Sequence, residues 1–312
     1  MSQCAGAVLM IQPAAFGFNT ETAASNAWQR PATTDAAALN RLARSESEGV
    51  RRALESEGVR VLMVEDDPKP ARPDALFPNN WVSFHDDGTL VLYPMLSPAR
   101  RPERRPEVID AVCAKLGFAP RRRIDLSAHE SAGRFLEGTG SLVLDHVARV
   151  AYACRSPRTD EWLVQEWARM MDFEPVVFDA TDERERPYYH TNVMMWIGTR
   201  CAMVCAAAIG AADRERVCAR LRGSGRETIE IDRAAVGGFA GNMLELATWD
   251  EALGDASVLV MSSTAHAALA GPVLQQLSGC VDALLPVPVP TIERVGGGSV
   301  RCMLAEVPEV HA

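Results

Sequence analysis

A glycine-rich stretch late in the sequence ends in a cysteine and is the segment best suited to chemistry. It reads Gly296-Gly297-Gly298-Ser299-Val300-Arg301-Cys302-Met303. Glycine lets a backbone approach a ligand closely, and a neighbouring cation such as Arg301 favours the thiolate, the nucleophilic form of cysteine. The stretch therefore predicts a nucleophilic Cys302 on a flexible turn. The alternative is a glycine turn followed by a strand in which Cys302 is a small buried hydrophobic residue.

Two other turns carry the side chains that such a nucleophile needs. His190 follows two tyrosines, and Glu137 stands directly before a Gly-Thr-Gly turn. Histidine is the usual proton acceptor and donor for a thiol, and a carboxylate orients the histidine or relays its proton. Taken alone, His190 would be a hydrogen-bonded core residue and Glu137 a solvated one. Their equivalent placement in successive segments is what indicates a shared site.

Composition restricts the class of protein and its partners. The chain has 312 residues, of which 47% are hydrophobic and 23% charged, so it can bury a large core. The net charge of −9 and the absence of a basic stripe argue against nucleic acid. No apolar run reaches the ~18 residues of a membrane helix, and no signal peptide is visible. The eight scattered cysteines, without a CxxC pair, indicate a reducing cytoplasm and no zinc ribbon.

One order of elements repeats along the chain: a turn, a strand, its hairpin partner, a helix and another strand. The turns fall near residues 78, 138, 190, 240 and 298, a period of roughly 50–60 residues that is typical of a repeat architecture. We therefore expect residues 1–312 to form one α/β domain of five ββαβ-like modules, closed in a ring, whose turns meet at one end of a central channel. The predicted elements include strands at 7–12, 59–64, 89–93 and 147–152 and helices at 35–57, 102–117, 159–171 and 213–221.

Several of these segments resemble motifs of the guanidino-group-modifying superfamily, which includes arginine deiminase, dimethylarginine dimethylaminohydrolase, agmatine deiminase and the amidinotransferases. The segment from Leu136 to Leu144 resembles its Glu-Gly-Gly-Asp turn, and Gly296 to Met303 is close to its Gly-rich Arg-Cys-Met ending. His190-Thr191-Asn192 lies where that superfamily has His-x-Asp.

Three further segments, in family order, look like motifs of the dimethylarginine hydrolases. They are Pro73 to Asn80, Ser97 to Glu103 and Ser156 to Thr159. Together the motifs cover nearly the whole chain. The most similar subgroup comprises bacterial amidinotransferase-like proteins called citrulline utilization hydrolases, which share the Phe-Pro-Asn-Asn-Trp and Tyr-His-Thr-Asn segments.

The resemblance implies the five-bladed α/β-propeller known as the pentein fold and a Cys-His-Glu mechanism. Cys302 would attack the central carbon of a guanidine or urea group. His190 would protonate the leaving nitrogen and then activate water, while Glu137 would hold substrate nitrogens or orient His190. The resemblance also implies that Arg101 and Arg158 bind the substrate carboxylate as bidentate forks. The remaining predicted substrate-site residues are Asp74, Phe77, Asn80, Asn192 and Gly297, and no metal or organic cofactor is required.

The sequence departs from the superfamily pattern at residues that would bind the guanidinium. Asn80 and Asn192 stand where aspartates are usual, and Gly140 stands where the turn has Asp. Losing anionic acceptors weakens the binding of a cation by roughly a few kcal/mol, whereas amides pair with both the carbonyl and the N–H groups of a neutral ureido group. We hypothesise a ureido-like substrate such as citrulline. The alternative is that Asp74 or Glu293 replaces the aspartates and the substrate is arginine-like.

Other functions remain open at this stage. An amidinotransferase, in which an amine replaces water, would use the same three catalytic residues. An inactive ligand-binding relative is a second alternative, given the lost aspartates. The propeller also occurs in ribosome anti-association factors, but those lack the Cys-His-Glu set, and the acidic net charge argues against RNA. The expected partner is a small molecule, and the sequence leaves a homodimer open.

Overall fold

The structure, a computed structural model, describes residues 2–250 and 254–310. Fifteen strands lie within these residues: β1 Ala7–Gln12, β2 Arg60–Glu65, β3 Val82–Phe84, β4 Thr89–Leu92, β5 Arg122–Asp125, β6 Val143–Asp145, β7 Val150–Cys154, β8 Glu174–Phe178, β9 Met195–Ile197, β10 Cys201–Val204, β11 Glu227–Glu230, β12 Leu244–Asp250, β13 Gly254–Ser262, β14 Ala283–Val287 and β15 Ala305–Glu306.

Ten α-helical segments lie within the same residues: α1 Thr20–Ala23, α2 Ala36–Ser56, α3 Pro106–Leu116, α4 Gly138–Ser141, α5 Glu161–Met171, α6 Ala211–Arg222, α7 Arg233–Gly237, α8 Ser263–Ala268, α9 Gly271–Cys280 and α10 Pro290–Gly296. No helix of the described ranges combines the length and the apolar character needed to cross a bilayer.

The strands form five three-stranded sheets in which one arrangement recurs. In four sheets, two consecutive strands pair as an antiparallel hairpin, and the third strand returns parallel to the second after one or two helices. These sheets are β3-β4-β5, β6-β7-β8, β9-β10-β11 and β12-β13-β14. The fifth is β15-β1-β2, in which β1 pairs antiparallel with β15 and parallel with β2. The strand that begins the chain is therefore held in a sheet by the strand that ends it.

Local sequence explains the elements on either side of these sheets. Every residue of β1 is buried, in keeping with its continuous apolar run. Helix α2 buries one face, which includes Leu39, Val50 and Leu54, and the Asp35 side chain caps it by accepting from the amide of Ala38.

The helix predicted over 102–117 is shorter than expected. Helix α3 spans Pro106–Leu116, and a separate 3₁₀ turn covers Pro98–Glu103. Proline disfavours helical backbone in the residue before it, so Pro106 can begin a helix but does not lie inside one.

The turns that precede the first strand of each sheet lie against one another. Helix α4 contacts the 3₁₀ turns Pro78–Asn80 and Thr191–Val193, and the turn Pro78–Asn80 also contacts Val300–Met303. These contacts bring together segments more than 200 residues apart in sequence. They place the predicted nucleophile, histidine and carboxylate at one end of the molecule.

Candidate functional site

A small cavity lies among these turns. Its volume is about 10 Å³, enough for about one water molecule. The lining includes seven of the ten residues predicted from the sequence, namely Asp74, Phe77, Asn80, Arg158, His190, Gly297 and Cys302. Glu137 and Asn192 do not line it, but each contacts a residue that does. Arg101 is the one predicted residue that lies elsewhere.

His190 and Glu137 form a buried hydrogen-bonded pair. The Nε2 atom of His190 lies 3.0 Å from Oε2 of Glu137, and both side chains are almost inaccessible to solvent. Burial lowers the pKa of His190 to about 4, although the Glu137 carboxylate opposes that shift. The imidazole is therefore neutral at pH 7. Because a carboxylate only accepts hydrogen bonds, Nε2 carries the proton and Nδ1 keeps a lone pair.

Glu137 remains ionised because it is surrounded by donors. Burial alone would raise the pKa of Glu137, but Arg158, His190 and Arg100 together hold it well below its ordinary value. Its Oε1 accepts from the backbone amide of Leu96, and its Oε2 lies 3.4 Å from Nη1 of Arg158. A fixed carboxylate of this kind orients the histidine and stabilises an imidazolium that forms during a reaction.

The Cys302 sulfur is contacted by neutral amides and not by a cation. The Nδ2 atoms of Asn242 and Asn192 lie 3.3 and 3.8 Å from Sγ. The guanidinium of Arg301 donates instead to the carbonyl of Leu304 and to Glu306. The expectation that Arg301 stabilises the thiolate is therefore wrong, because its side chain follows the chain into β15.

Arg158 joins the cavity to the segment that covers it. Its guanidinium donates to the carbonyl of Thr22 and to Oγ of Ser25, and it lies 5.1 Å from the ring of Tyr189. Arg158 is buried, as a residue that binds a carboxylate within a closed site must be. In this structure its guanidinium N–H groups donate to residues of the segment that covers the cavity.

Arg100, and not Arg101, is the second arginine of the site. Arg100 is buried, lines the cavity, pairs with both oxygens of Glu103 at 2.9 Å and donates to Oδ1 of Asn80. Arg101 is half-exposed and lies 3.2 Å from Glu130. Consecutive residues on a 3₁₀ turn point about 120° apart, so only one of two adjacent arginines can face the cavity.

Two buried oxygens near the cavity are open acceptors. Oδ1 of Asp74 and Oδ1 of Asn192 have no hydrogen-bond partner among the described residues. Burial raises the pKa of Asp74, although Arg100 opposes that shift. Glu293, the other carboxylate considered as a replacement, is taken up by the hydroxyls of Ser299 and Thr264. Asp74 is therefore the carboxylate of that pair that can receive a substrate N–H group.

Glycines make room for the cavity at two positions. Gly297 has a φ of 65°, and a Cβ atom there would lie 2.5 Å from Gln29 and 2.6 Å from Asn26. A Cβ atom at Gly140 would lie 2.6 Å from both Asn80 Nδ2 and His190 Nδ1. Asn80 and His190 therefore leave room only for glycine at residue 140, where the Glu-Gly-Gly-Asp turn usually has aspartate.

Sequence reasoning missed several residues of the site. The ring of Tyr189 packs at a tilt against that of His190, with the ring centroids 4.7 Å apart, and the Tyr189 hydroxyl donates to the carbonyl of Gly297. Asn242 ends the turn before β12. In the same way, Asn80 ends the turn before β3, and Asn192 lies within the turn before β9. Aligning the five turns with one another would have identified Asn242. No sequence signal identified Thr22 and Asn26, which line the cavity from the segment that precedes α2.

Comparisons with known proteins agree with this geometry. The family model for eukaryotic N,N dimethylarginine dimethylhydrolase matches residues 12–309. A search of curated protein sequences gave no match.

Solved structures show the same fold at low sequence identity. The N-terminal domain of the cyanobacterial arginine dihydrolase ArgZ is 17% identical, with a TM-score of 0.73 over 97% of this chain and 98% of that domain. This chain spans only 40% of full-length ArgZ and 40% of AgrE, which is 19% identical with a TM-score of 0.74 over 98% of this chain. A dimethylarginine dimethylaminohydrolase in an adduct with S-methyl-L-thiocitrulline is 13% identical, with a TM-score of 0.64 over 96% of this chain and 98% of that one.

The chain thus has the mixed α/β pentein fold of these neighbours. The predicted relationship to the guanidino-group-modifying enzymes is confirmed. With nearly its whole length matched by one family model, the chain belongs to the family of N,N dimethylarginine dimethylhydrolases.

Proposed function

We propose that this protein is a cysteine-dependent hydrolase of a C–N bond, other than a peptide bond, in a small guanidino or ureido compound. The observation that carries the proposal is that Cys302 and His190 line one small cavity while Glu137 forms a hydrogen bond with Nε2 of His190. The family assignment and the fold of the arginine dihydrolases support the same reaction class.

The reaction begins with a proton transfer from Cys302 to His190. His190 is neutral, and its Nε2–H group donates to Glu137. Its Nδ1 is therefore the atom that receives the thiol proton. The imidazolium that results is stabilised by the ionised Glu137 carboxylate. The thiolate then attacks the central carbon of the substrate, and a bond forms between sulfur and that carbon.

The leaving nitrogen takes its proton from His190. As the C–N bond breaks, ammonia departs and a covalent intermediate remains on Cys302. His190, neutral again, removes a proton from water, which attacks the same carbon, and the S–C bond breaks as the thiol re-forms. A guanidine becomes a ureido group in this way. A ureido group such as that of citrulline becomes a carbamate, which takes up a proton on nitrogen and loses carbon dioxide, so the products are ornithine, ammonia and carbon dioxide.

The cavity supports a substrate whose reacting group is a hydrogen-bond donor with little net charge. Asn80 and Asn192 provide amides where a cationic group would favour carboxylates, and Asp74 is the carboxylate among the lining residues. We propose that Asp74 and Asn192 accept N–H groups, that Phe77 packs beside the glycine loop, and that Arg158 and Arg100 bind the substrate carboxylate. A ureido group fits the two amides without a second anion.

Release of ammonia from citrulline and arginine, and of ammonia, methylamine or dimethylamine from methylated arginines, tests the proposal. We expect turnover of citrulline, and a loss of at least about 10⁴-fold in Cys302→Ser, because a hydroxyl is a far weaker acid than a thiol and His190, with its pKa lowered to about 4, is too weak a base to activate it. Activity that survives this substitution would overturn the mechanism. Turnover of arginine without turnover of citrulline would show that the argument from Asn80 and Asn192 is wrong.

We further propose that the five sheets are the blades of one propeller with pseudo-fivefold symmetry, formed by residues 1–312 as a single domain. The shared order of strands, the pairing of β1 with β15 and the mutual contacts of the turns support this arrangement. A cytoplasmic location and a homodimer remain predictions from the sequence.

A further inference from the structure

A buried asparagine from a turn that the motif comparison did not use faces the proposed nucleophile. Asn242 ends the turn before β12 and is inaccessible to solvent. Its Nδ2 atom is 3.3 Å from Sγ of Cys302, closer than the corresponding atom of Asn192 at 3.8 Å. The backbone amide of Asn242 is fixed by the carbonyl of Phe239 at 2.8 Å. The side chain is therefore held in place on the sulfur.

The orientation of this amide follows from its other partners. The backbone N–H of Arg301 lies 3.1 Å from Oδ1 of Asn242. A backbone N–H only donates, so the side-chain atom that faces it must be the oxygen. The nitrogen is then directed at the carbonyl of Asn192, 3.1 Å away, and at Cys302. Since an NH₂ group has two protons, it donates one to the carbonyl and the other to the sulfur.

We propose that Asn242 is a further catalytic residue, which donates an N–H hydrogen bond to Sγ of Cys302 and stabilises the thiolate during its attack on the substrate. This inference rests on the proposed function, in which Cys302 is the nucleophile. A hydrogen bond to a charged acceptor is about twice as strong as one to a neutral acceptor, so Asn242 favours the thiolate over the thiol. The proton itself still moves to His190.

The positions of the other groups around Cys302 explain why the Asn242 amide matters as a donor to the sulfur. Arg301, the adjacent cation in sequence, directs its guanidinium to Leu304 and Glu306. His190 is neutral before the reaction, so it stabilises the sulfur as a cation only after it has taken the proton. The amides of Asn242 and Asn192 are the donors that the described residues place on Sγ.

The rate at which iodoacetamide alkylates Cys302 tests the inference without turnover. Alkylation reports the thiolate fraction, and the modified residue is identified by peptide mass spectrometry, with Cys302→Ser as the blank for the other seven cysteines. Two variants, Asn242→Ala and Asn242→Asp, remove this donor, and Asn242→Asp is the one nearer to asparagine in shape. It keeps the shape and the oxygen that accepts from Arg301, but it replaces the donor that faces the sulfur with an acceptor.

We expect alkylation of Asn242→Asp to be at least about tenfold slower at pH 7.5, and the pH midpoint of its alkylation rate to rise by about one unit. Asn192→Ala should show a smaller effect, because its contact is longer. If Asn242 only holds the turn together, a folded Asn242→Ala variant should react like the wild type, whereas the carboxylate of Asn242→Asp disfavours the thiolate by charge repulsion in either case. Asn242→Ala, which removes the donor without adding a charge, therefore decides between the two roles, and we expect its alkylation to be slowed by more than about twofold.

An alkylation rate within about twofold of wild type in a folded Asn242→Asp or Asn242→Ala variant would overturn the inference. That result would leave the proposed function intact if Cys302→Ser still abolished ammonia release. Conversely, if no guanidino or ureido compound is turned over, the alkylation experiment still decides whether Asn242 activates the sulfur.

Discussion

At the scale of single residues, Gly140 shows how tightly the site is packed. The absent side chain leaves room for Nδ1 of His190, the atom to which we assign the proton transfer. A Cβ atom at this position would approach that nitrogen and Nδ2 of Asn80 to 2.6 Å. Both neighbours belong to buried hydrogen-bond networks and cannot withdraw without breaking them. The position therefore controls the geometry of the base without contacting the substrate.

Gly140→Ala should lower kcat/KM by about 100-fold, because a displacement of His190 by as little as about 1 Å has an effect of that size. The overpacking should also lower the free energy of unfolding by about 1–3 kcal/mol. Steady-state kinetics and urea unfolding measure the two effects. Gly279→Ala in α9 is the matched control, since a Cβ atom there meets no other atom within 4 Å. Equal kinetics in the two variants would contradict the prediction.

Residues of the site could be predicted where a sequence motif fixed their positions. Cys302, His190 and Glu137 each stand at one position of a recurring turn, and this position together with the resemblance to the guanidino-group-modifying superfamily predicted that they lie together. Arg101 was wrong by one residue, because sequence does not tell which of two adjacent arginines on a 3₁₀ turn faces inward. Asn242 was missed because its contact with Cys302 joins two turns 60 residues apart.

At the scale of elements, the segment from Pro13 to Thr34 closes the cavity. Within it, Glu21 of α1 accepts from the hydroxyl of Ser97 and the amide of Ala99, and Thr22 and Asn26 line the cavity. A space of about 10 Å³ is far too small for a substrate with a guanidino or ureido group, a carbon stem and a carboxylate. Substrate can therefore enter only when this segment or its contacts open.

Amides of residues 20–30 should exchange their hydrogens at least about tenfold faster than those of β1 and β10, because entry of substrate requires this segment to open more readily than the sheets. Adding citrulline to the Cys302→Ser variant should slow that exchange by closing the segment over the ligand. Hydrogen exchange followed by mass spectrometry measures both effects, with α2 as an internal reference. Exchange in residues 20–30 that is as slow as in β1 would contradict the prediction.

Elements with a clear hydrophobic pattern followed directly from the sequence, and the segment before α2 did not. The strand over 7–12 and the helix over 35–57 agree with β1 and α2 to within one residue at each end. Residues 13–34 have no strong periodicity, so their position over the cavity could not be predicted. This segment contacts residues distant in sequence: the carbonyl of Thr22 accepts from Arg158, and the side-chain amide of Asn26 donates to the carbonyl of Gly297.

At the scale of the whole molecule, the repeating order of strands was visible in the sequence because each sheet begins with its own turn and hairpin. The pairing of β1 with β15 was not, because two residues of β15 carry little pattern. The burial of one titratable side chain, His85, also could not be predicted from the sequence. His85 is buried between two sheets, with its ring 6.2 Å from Trp167 and its Nε2 on the hydroxyl of Ser83.

His85 should make the stability of the wild type depend on pH. Burial lowers the pKa of His85 to about 3, whereas the unfolded chain takes up this proton below about pH 6.5. The unfolded state then binds more protons than the native state, so stability is present above pH 6.5 and falls as the pH decreases toward 3. Between pH 7 and pH 5 the wild type should lose about 2 kcal/mol more of its free energy of unfolding than His85→Gln.

Urea unfolding of both proteins at pH 7 and pH 5 measures this difference. Because His85→Gln removes only one titrating group, contributions from the other histidines and from buried carboxylates cancel in the comparison. Equal losses of stability in the two proteins would contradict the prediction.

The place of Cys302 along the chain has a consequence for synthesis. A ribosome makes four of the five turns, with their histidine, carboxylate and arginines, before it adds the thiol, and β1 gains its partner β15 only after that. A chain that stops before residue 302 therefore contains most of the proposed binding groups but lacks the proposed nucleophile. Under the proposed function, such a chain cannot hydrolyse a guanidino or ureido compound.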